Sequence, residues 1–390
     1  MRLLLTGILG TYNYGCEAII RGTSQIMKRL YPKAEIDYLS PLRYDDDCRR
    51  LIGSGVNVIN YQTFFKNRII LNKVLRRLHI AYRLRKHSLR FLKRYDAVFS
   101  IGGDMYTIDG QGQYPKELVE FGNYCEMHEI PYVLWGCSVG PFDKYPELKN
   151  IFQKHLSGIS LIVAREPATI EYLASMGVKK NVVFSLDPAF SVQSKPHNPS
   201  QKKKVLGINL SPLSLMYLNL NEEACIKIHS KLVEKLAGDL GYRIILLPHV
   251  VDCAPHDDDH LYLKKIKDAL PEVVKANVEI VENDPGFVGI KDYIRKCDVV
   301  LAARMHCAIN SIASGVPAIF LSYSEKSKGM SRLVYDDPQY CIPLTDFTCE
   351  HLDKIQDLIN SVRIPQELQD KVNDKASVKE AMDNLCRNKK

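Results

Sequence analysis

The stretch Val299–Met330, VVLAARMHCAINSIASGVPAIFLSYSEKSKGM, decides the fold. Val299-Val300-Leu301-Ala302-Ala303 is a short apolar run of strand type, and Arg304-Met305-His306 follows at its C-terminal end. From Cys307 to Ser314 small residues alternate with Ile309 and Ile312 at helical spacing; Gly315 stops that helix and Pro317 follows it. Ala318-Ile319-Phe320-Leu321 is the next buried strand, and it carries Tyr323, Ser324, Glu325, Lys326 and Lys328 to the same edge. Strand, helix and strand in this order make a parallel α/β unit, and ligands of open α/β sheets bind outside the carboxyl ends of the strands. One strand end thus offers an Arg and a His two residues apart, and its neighbour a Glu and two Lys. These groups suit an anionic substrate and a proton transfer.

The same unit recurs along the chain. Leu3-Leu4-Leu5 leads through Gly7, Gly10 and Gly15 into a helical pattern, a strand, glycine loop and helix with Asn13 and Glu17 at the helix start. Backbone amides of such a loop can meet an anion, although the spacing is neither GxGxxG nor a Walker A loop, and a simple tight turn explains the glycines as well. Asp96–Ile101 ends in Gly102-Gly103-Asp104, the strand from Pro131 in Gly136-Cys137-Ser138, and Ser160–Ala164 in Arg165-Glu166. Val182–Leu186, Val205–Leu210, Tyr242–Leu247 and Asn277–Val281 are further strands, and His249 stands at the tip of the third of these. The run His256-Asp257-Asp258-Asp259 could suggest a metal, but consecutive carboxylates are favoured at a helix start by its dipole.

Between the repeats, Gln193–Lys204 (QSKPHNPSQKKK) is polar and proline-bearing, the best linker in the chain. It divides an N-terminal α/β domain (1–192) from a C-terminal one (205–347), with two polar helices over 348–390. The fold class expected is α/β, two Rossmann-like doubly wound domains facing across a cleft.

With 390 residues, 46% hydrophobic and 25% charged, the chain has a globular composition large enough for two domains. No apolar run approaches the roughly 20 residues that cross a bilayer, and the N-terminal run reads as a strand, not a signal peptide. The 11 cysteines form no CxxC pair, so they read as reduced thiols in a cytoplasmic protein. The net charge of +8 is unevenly spread: residues 66–94 hold eleven Lys and Arg, from Lys66 to Arg94, and no Asp or Glu, interleaved with apolar residues at helical spacing. This cationic amphipathic segment fits a contact with anionic lipid or a diphosphate-linked substrate at the inner face of a membrane. A solvated helix face packed on the sheet fits it too. Nucleic acid would need a recognition motif that is not there.

Taken together, the strand-end motifs resemble the polysaccharide pyruvyl transferase family, whose members attach pyruvate from phosphoenolpyruvate, as a cyclic ketal, to sugars of cell-surface polymers such as capsule and exopolysaccharide. The resemblance runs from Gly10-Thr11-Tyr12-Asn13-Tyr14-Gly15 through Gly102-Gly103-Asp104, Gly136-Cys137-Ser138-Val139-Gly140-Pro141-Phe142, Arg165-Glu166, Asp187-Pro188-Ala189-Phe190, Asn209-Leu210-Ser211-Pro212, Pro248-His249 and Arg304-Met305-His306 to Ser322–Met330. The chain departs from many relatives at Cys16, where they carry Asp, and at Asp104, where they carry a third glycine.

The resemblance implies a two-domain fold of glycosyltransferase-B type and phosphoenolpyruvate as donor, with neither metal nor organic cofactor. Arg165 and Arg304 would then clamp the donor's carboxylate and phosphate from opposite domains. His306 would be the general acid, because Arg-x-His in an extended segment places both side chains on one face. Glu325 or Glu17 would be the base for the acceptor hydroxyl, and Lys326, Lys328 and His249 would neutralise phosphate. Asn13, Gly103, Asp104 and Ser324 would line the substrate site. The acceptor is a sugar, expected on a polyprenyl-diphosphate carrier. The rivals are a nucleotide-sugar glycosyltransferase of the same fold and a non-catalytic scaffold of polymer assembly.

Overall fold

The computed structural model describes residues 1–64, 77, 89–108, 112–192, 204–322 and 325–387. Ser324, the linker up to residue 203 and all but a few residues of the basic segment 66–94 lie outside the described residues, as do the side chains of Glu325 and Lys326.

The chain divides into two compact units. The first comprises Met1–Thr11, Ile19–Pro188 and Asp374–Lys390, the second Tyr12–Ala18 and Ala189–Asn373. Residues Tyr12–Ala18 and the final helix, Ala376–Arg387, therefore group away from their sequence neighbours, where the sequence suggested divisions at the linker and before residue 348.

The first unit is built on seven parallel strands: β1 Arg2–Thr6, β2 Glu35–Ser40, β3 Asn57–Asn60, β4 Ala97–Ile101, β5 Tyr132–Cys137, β6 Leu161–Ala164 and β7 Val182–Phe184. Their order is β3-β2-β1-β4-β5-β6-β7, reversing direction of growth between β1 and β4. Every residue of β4, β5 and β6 is buried, as a parallel sheet with covered faces requires. At about 1.5–3 kcal/mol for each buried Val, Leu, Ile or Phe, these strands are the main source of cohesion. The strands β2 and β3 went unread in the sequence. Asp37 interrupts the apolar run of β2, yet it is buried without penalty because Arg2, Asn57 and Tyr95 all donate to its carboxylate. The Ala376–Arg387 helix packs on β6 and β7.

The second unit repeats the plan with six parallel strands: β8 Val205–Asn209, β9 Arg243–Leu246, β10 Val278–Ile280, β11 Val299–Ala302, β12 Ala318–Ser322 and β13 Cys341–Pro343. The order is β10-β9-β8-β11-β12-β13, with the reversal between β8 and β11. Asp298 accepts the Lys204 and Val205 amides at 2.8 and 2.9 Å, which pins the start of β8 beside β11. From there the register carries Ala302 opposite Asn209 at the far end. The last strand was also unread. It holds three residues and a proline at the sheet edge, where a missing amide costs no ladder bond.

Candidate active site

In the second unit the topological switch point falls between β8 and β11, and the Arg304-Met305-His306 turn stands on it. Asn209, last residue of β8, fixes the turn: its backbone carbonyl accepts the Ala303 amide (3.0 Å) and its Oδ1 accepts the Arg304 amide (2.8 Å). Its Nδ2 donates to the Leu247 carbonyl (2.8 Å) and to Asp259 (3.2 Å).

Arg304 is the N-cap of the Met305–Ala313 helix, and its carbonyl already accepts the Cys307 and Ala308 amides. The extended segment therefore ends two residues earlier than the sequence suggested. His306 is helical, and the same-face argument for Arg304 and His306 does not hold. Their side chains part company. The Arg304 guanidinium donates to Asp259 Oδ1 through Nε (3.1 Å) and Nη2 (2.9 Å), and to the carboxylate (2.7 Å) and carbonyl (2.8 Å) of Asp257. Burial opposes its charge, but Asp259 and Asp257 more than offset this and raise its pKa. The Arg304 guanidinium is thus paired with two carboxylates.

Asp259 is fully buried and gathers the whole turn. Besides Arg304 and Asn209 it accepts the backbone amides of His249 (3.0 Å) and Val250 (3.1 Å). The helix-start reading of the acidic run applies to Asp258, the N-cap that accepts the Leu261 amide. Asp257 and Asp259 are the counter-charges of Arg304, a role the sequence reading missed. Among the described residues no group of three or more His, Cys, Asp or Glu is placed to hold a metal ion.

His306 is half-buried and lies against Gly15: a Cβ at Gly15 would stand 2.6 Å from its Cγ and Nδ1. Only glycine lets the ring and the first turn of the Tyr14–Leu30 helix come this close. Asn13 caps that helix, its Oδ1 accepting the Gly15 amide at 2.9 Å. Tyr14 donates to Asp284 (2.7 Å) and meets the His249 ring edge-on, centroids 5.3 Å apart. His249 is buried; burial first, then the charges of His306, Arg304 and Lys291, hold its pKa well below the ordinary imidazole value. Its low affinity for a proton works against the phosphate-neutralising role expected from the sequence. Glu17 is buried too, and its Oε2 accepts the Phe287 amide (2.9 Å) at the start of the Gly286–Ile294 helix, which it caps. Lys291, from that helix, is a buried amine that burial, with Arg295, pushes down to about 7; it donates to Ser314 Oγ (3.3 Å) and lies over the Phe287 ring. Glu325 and Lys326 open the Glu325–Tyr335 helix after β12, and Lys328 is half-buried in it.

The first unit holds a separate cluster. Arg165, at the tip of β6, is 1% exposed and donates to Ser138 Oγ (3.0 Å), Asp187 Oδ2 (2.8 Å) and Asp104 Oδ1 (3.3 Å). Burial opposes its charge and Asp187 and Asp104 raise its pKa. Its guanidinium lies on Gly103, where a Cβ would come within 2.4 Å of Nη1. Like Arg304, it is committed to carboxylates. Asp104, with its side chain 56% exposed, is the accessible member.

The architecture has relatives among solved structures. UDP-GlcNAc 2-epimerase from Neisseria meningitidis, solved bound to UDP-GlcNAc, is similar with a TM-score of 0.57 at 13% identity, over 98% of this chain and 100% of that one. Anabaena Alr3699/HepE, solved in complex with UDP-glucose, gives 0.57 at 12% identity over 98% of both chains. The chain is thus a glycosyltransferase-B-like protein of two Rossmann-like α/β domains. Within that class, the profile of the polysaccharide pyruvyl transferases matches residues 13–325, and the chain belongs to that family, a family of transferases in polysaccharide biosynthesis. The amylovoran biosynthesis protein AmsJ of Erwinia amylovora is 24% identical to it, with 85% of this chain and 86% of AmsJ aligned. Among the described residues no helix is long and apolar enough to cross a membrane.

Proposed function

We propose that the chain transfers pyruvate from phosphoenolpyruvate to a pair of hydroxyls on a sugar, forming a cyclic ketal. The observation that carries the reading is His306, seated against Gly15 in the first turn of a helix at the switch point of the second unit. The donor is a dianion or more, and the start of the Met305–Ala313 helix, whose N-cap supplies no side-chain bond, presents amides and the positive end of its dipole. His306 then protonates the donor's methylene carbon as one sugar hydroxyl attacks the central carbon. Phosphate leaves, and the second hydroxyl closes the ketal.

Arg304 and Arg165 act on this reading by holding their loops in place, each neutralised by its aspartates. Glu325, at the helix start beyond β12, is the remaining candidate for the base. The acceptor is a polyprenyl-diphosphate-linked sugar at the membrane surface, a reading supported by the uninterrupted basic amphipathic sequence of residues 66–94.

The test is phosphate release from phosphoenolpyruvate by wild type and His306→Ala across free, nucleotide-linked and lipid-linked sugars. Release that depends on an acceptor and falls about 10²–10⁴-fold in the variant is expected. Nucleotide-sugar binding without any release would replace this reading by a glycosyltransferase, the alternative favoured by the UDP-sugars bound to the two structural relatives.

A further inference from the structure

The Met305–Ala313 helix buries Cys307, Ala308, Ile309 and Ile312, and in their midst Asn310. Asn310 is 0% exposed, and neither its carboxamide oxygen nor its nitrogen has a hydrogen-bond partner among the described residues. Such a group costs stability, where a Leu of similar volume would not. Buried polar groups without partners concentrate where function requires them.

Asn310 lies one helical turn after His306. Residues at this spacing are neighbours, with Cβ atoms about 5–6 Å apart, and side chains of a helix lean towards its N-terminus. The carboxamide is therefore aimed back over the turn that carries His306. From the other direction the His306 ring is confined by Gly15, and beyond Gly15 stands Tyr14 against His249.

We propose that Asn310 is a positioning residue for His306, fixing the tautomer and orientation of its imidazole directly or through one bridging water. The inference rests on the reading of His306 as the proton donor to phosphoenolpyruvate.

The experiment compares wild type with Asn310→Leu and, as the smaller variant that cannot overpack the helix, Asn310→Ala. Asn310→Leu should melt at or above the wild-type temperature while its kcat for acceptor-dependent phosphate release falls about 10-fold or more, with KM for phosphoenolpyruvate nearly unchanged. In ¹⁵N-histidine-labelled protein the His306 ring signals, identified by their loss in His306→Gln, should change tautomer ratio and titration midpoint in both Asn310 variants. His306 titrations that superimpose on wild type would overturn the inference. If wild-type protein releases no phosphate with any acceptor, the pyruvyl-transfer reading fails, while the ring titration still decides the role of Asn310.

Discussion

Two arginines at strand tips, Arg165 in the first unit and Arg304 in the second, read alike in the sequence and sit in like surroundings. Arg165 is buried and Arg304 largely so, each is paired with two aspartates, and each packs near a glycine-lined turn. The difference lies in what the glycine admits. Gly103 admits the guanidinium of Arg165 itself, so the first cluster closes on its arginine. Gly15 admits His306, so the second cluster uses its arginine to frame a histidine. A strand-tip arginine is thus a gripping residue only when nearby carboxylates leave it free. That information lies 22 residues from Arg165 and 45 and 47 from Arg304 in the chain.

The largest effect expected from this contrast is on stability. The side chains of Asp187 and Arg165 are 0% and 1% exposed, so Asp187→Ala leaves a buried cation with Asp104 alone. A loss of about 3–5 kcal/mol is expected. Asp257 is partly exposed and Arg304 keeps both contacts to Asp259, so Asp257→Ala should cost roughly 1 kcal/mol or less. Urea unfolding of the two variants decides the matter; equal losses, or the reverse order, would mean that the clusters are built alike.

Acid should separate the units next. Burial pushes His155 in the first unit and His229 in the second down to about 4, and His249 in the second lies well below its usual value. Each releases its proton on folding. Their contribution is complete above the unfolded value near 6.5 and is lost as pH falls towards 4. The slope is about 1.4 kcal/mol per pH unit for each group, on the order of 3 kcal/mol in all for His155. With two such histidines against one among the described residues, hydrogen exchange in β8 and β11 should accelerate more steeply between pH 6.5 and 4.5 than in β4 and β5. A steeper response in β4 and β5 would show that the first unit carries the acid-labile groups.

Much of this was legible. Apolar runs gave ten of the thirteen strands among the described residues, because a parallel sheet buried on both faces must read as continuous hydrophobic residues. The strand-tip rule marked His249, Arg304 and His306, which lie in the second unit, and Gly103, Asp104 and Arg165, which lie in the first; Asn13 and Glu17, which the sequence assigns to the N-terminal domain, group with the second unit instead. What stayed hidden was which side chain meets which. Asp259 looked like a helix-dipole residue and is the hub of the Arg304 turn; Glu17 looked like a base and is a cap; Asn209 and Asp187 drew notice only as parts of motifs. One signal was available: a helix start is satisfied by one capping aspartate, and the run at 257–259 holds three.

The smallest and sharpest test lies in the two glycines. Alanine at 103 would bring a Cβ to 2.4 Å from an Arg165 nitrogen whose guanidinium Ser138, Asp187 and Asp104 hold in place. The group cannot step aside, so Gly103→Ala should lose about 1–3 kcal/mol as an overpacked core does. Alanine at 15 meets the His306 ring at 2.6 Å, but it also replaces a glycine within a helix, worth up to about 1 kcal/mol in its favour. The ring can rotate, and the compensation should leave Gly15→Ala close to wild type in melting temperature. Moving the ring takes it from its seat, so the same variant should lose acceptor-dependent phosphate release. A Gly15→Ala protein that retains wild-type release would show that the seat does not position His306, and the two clusters would then differ only in their exposure.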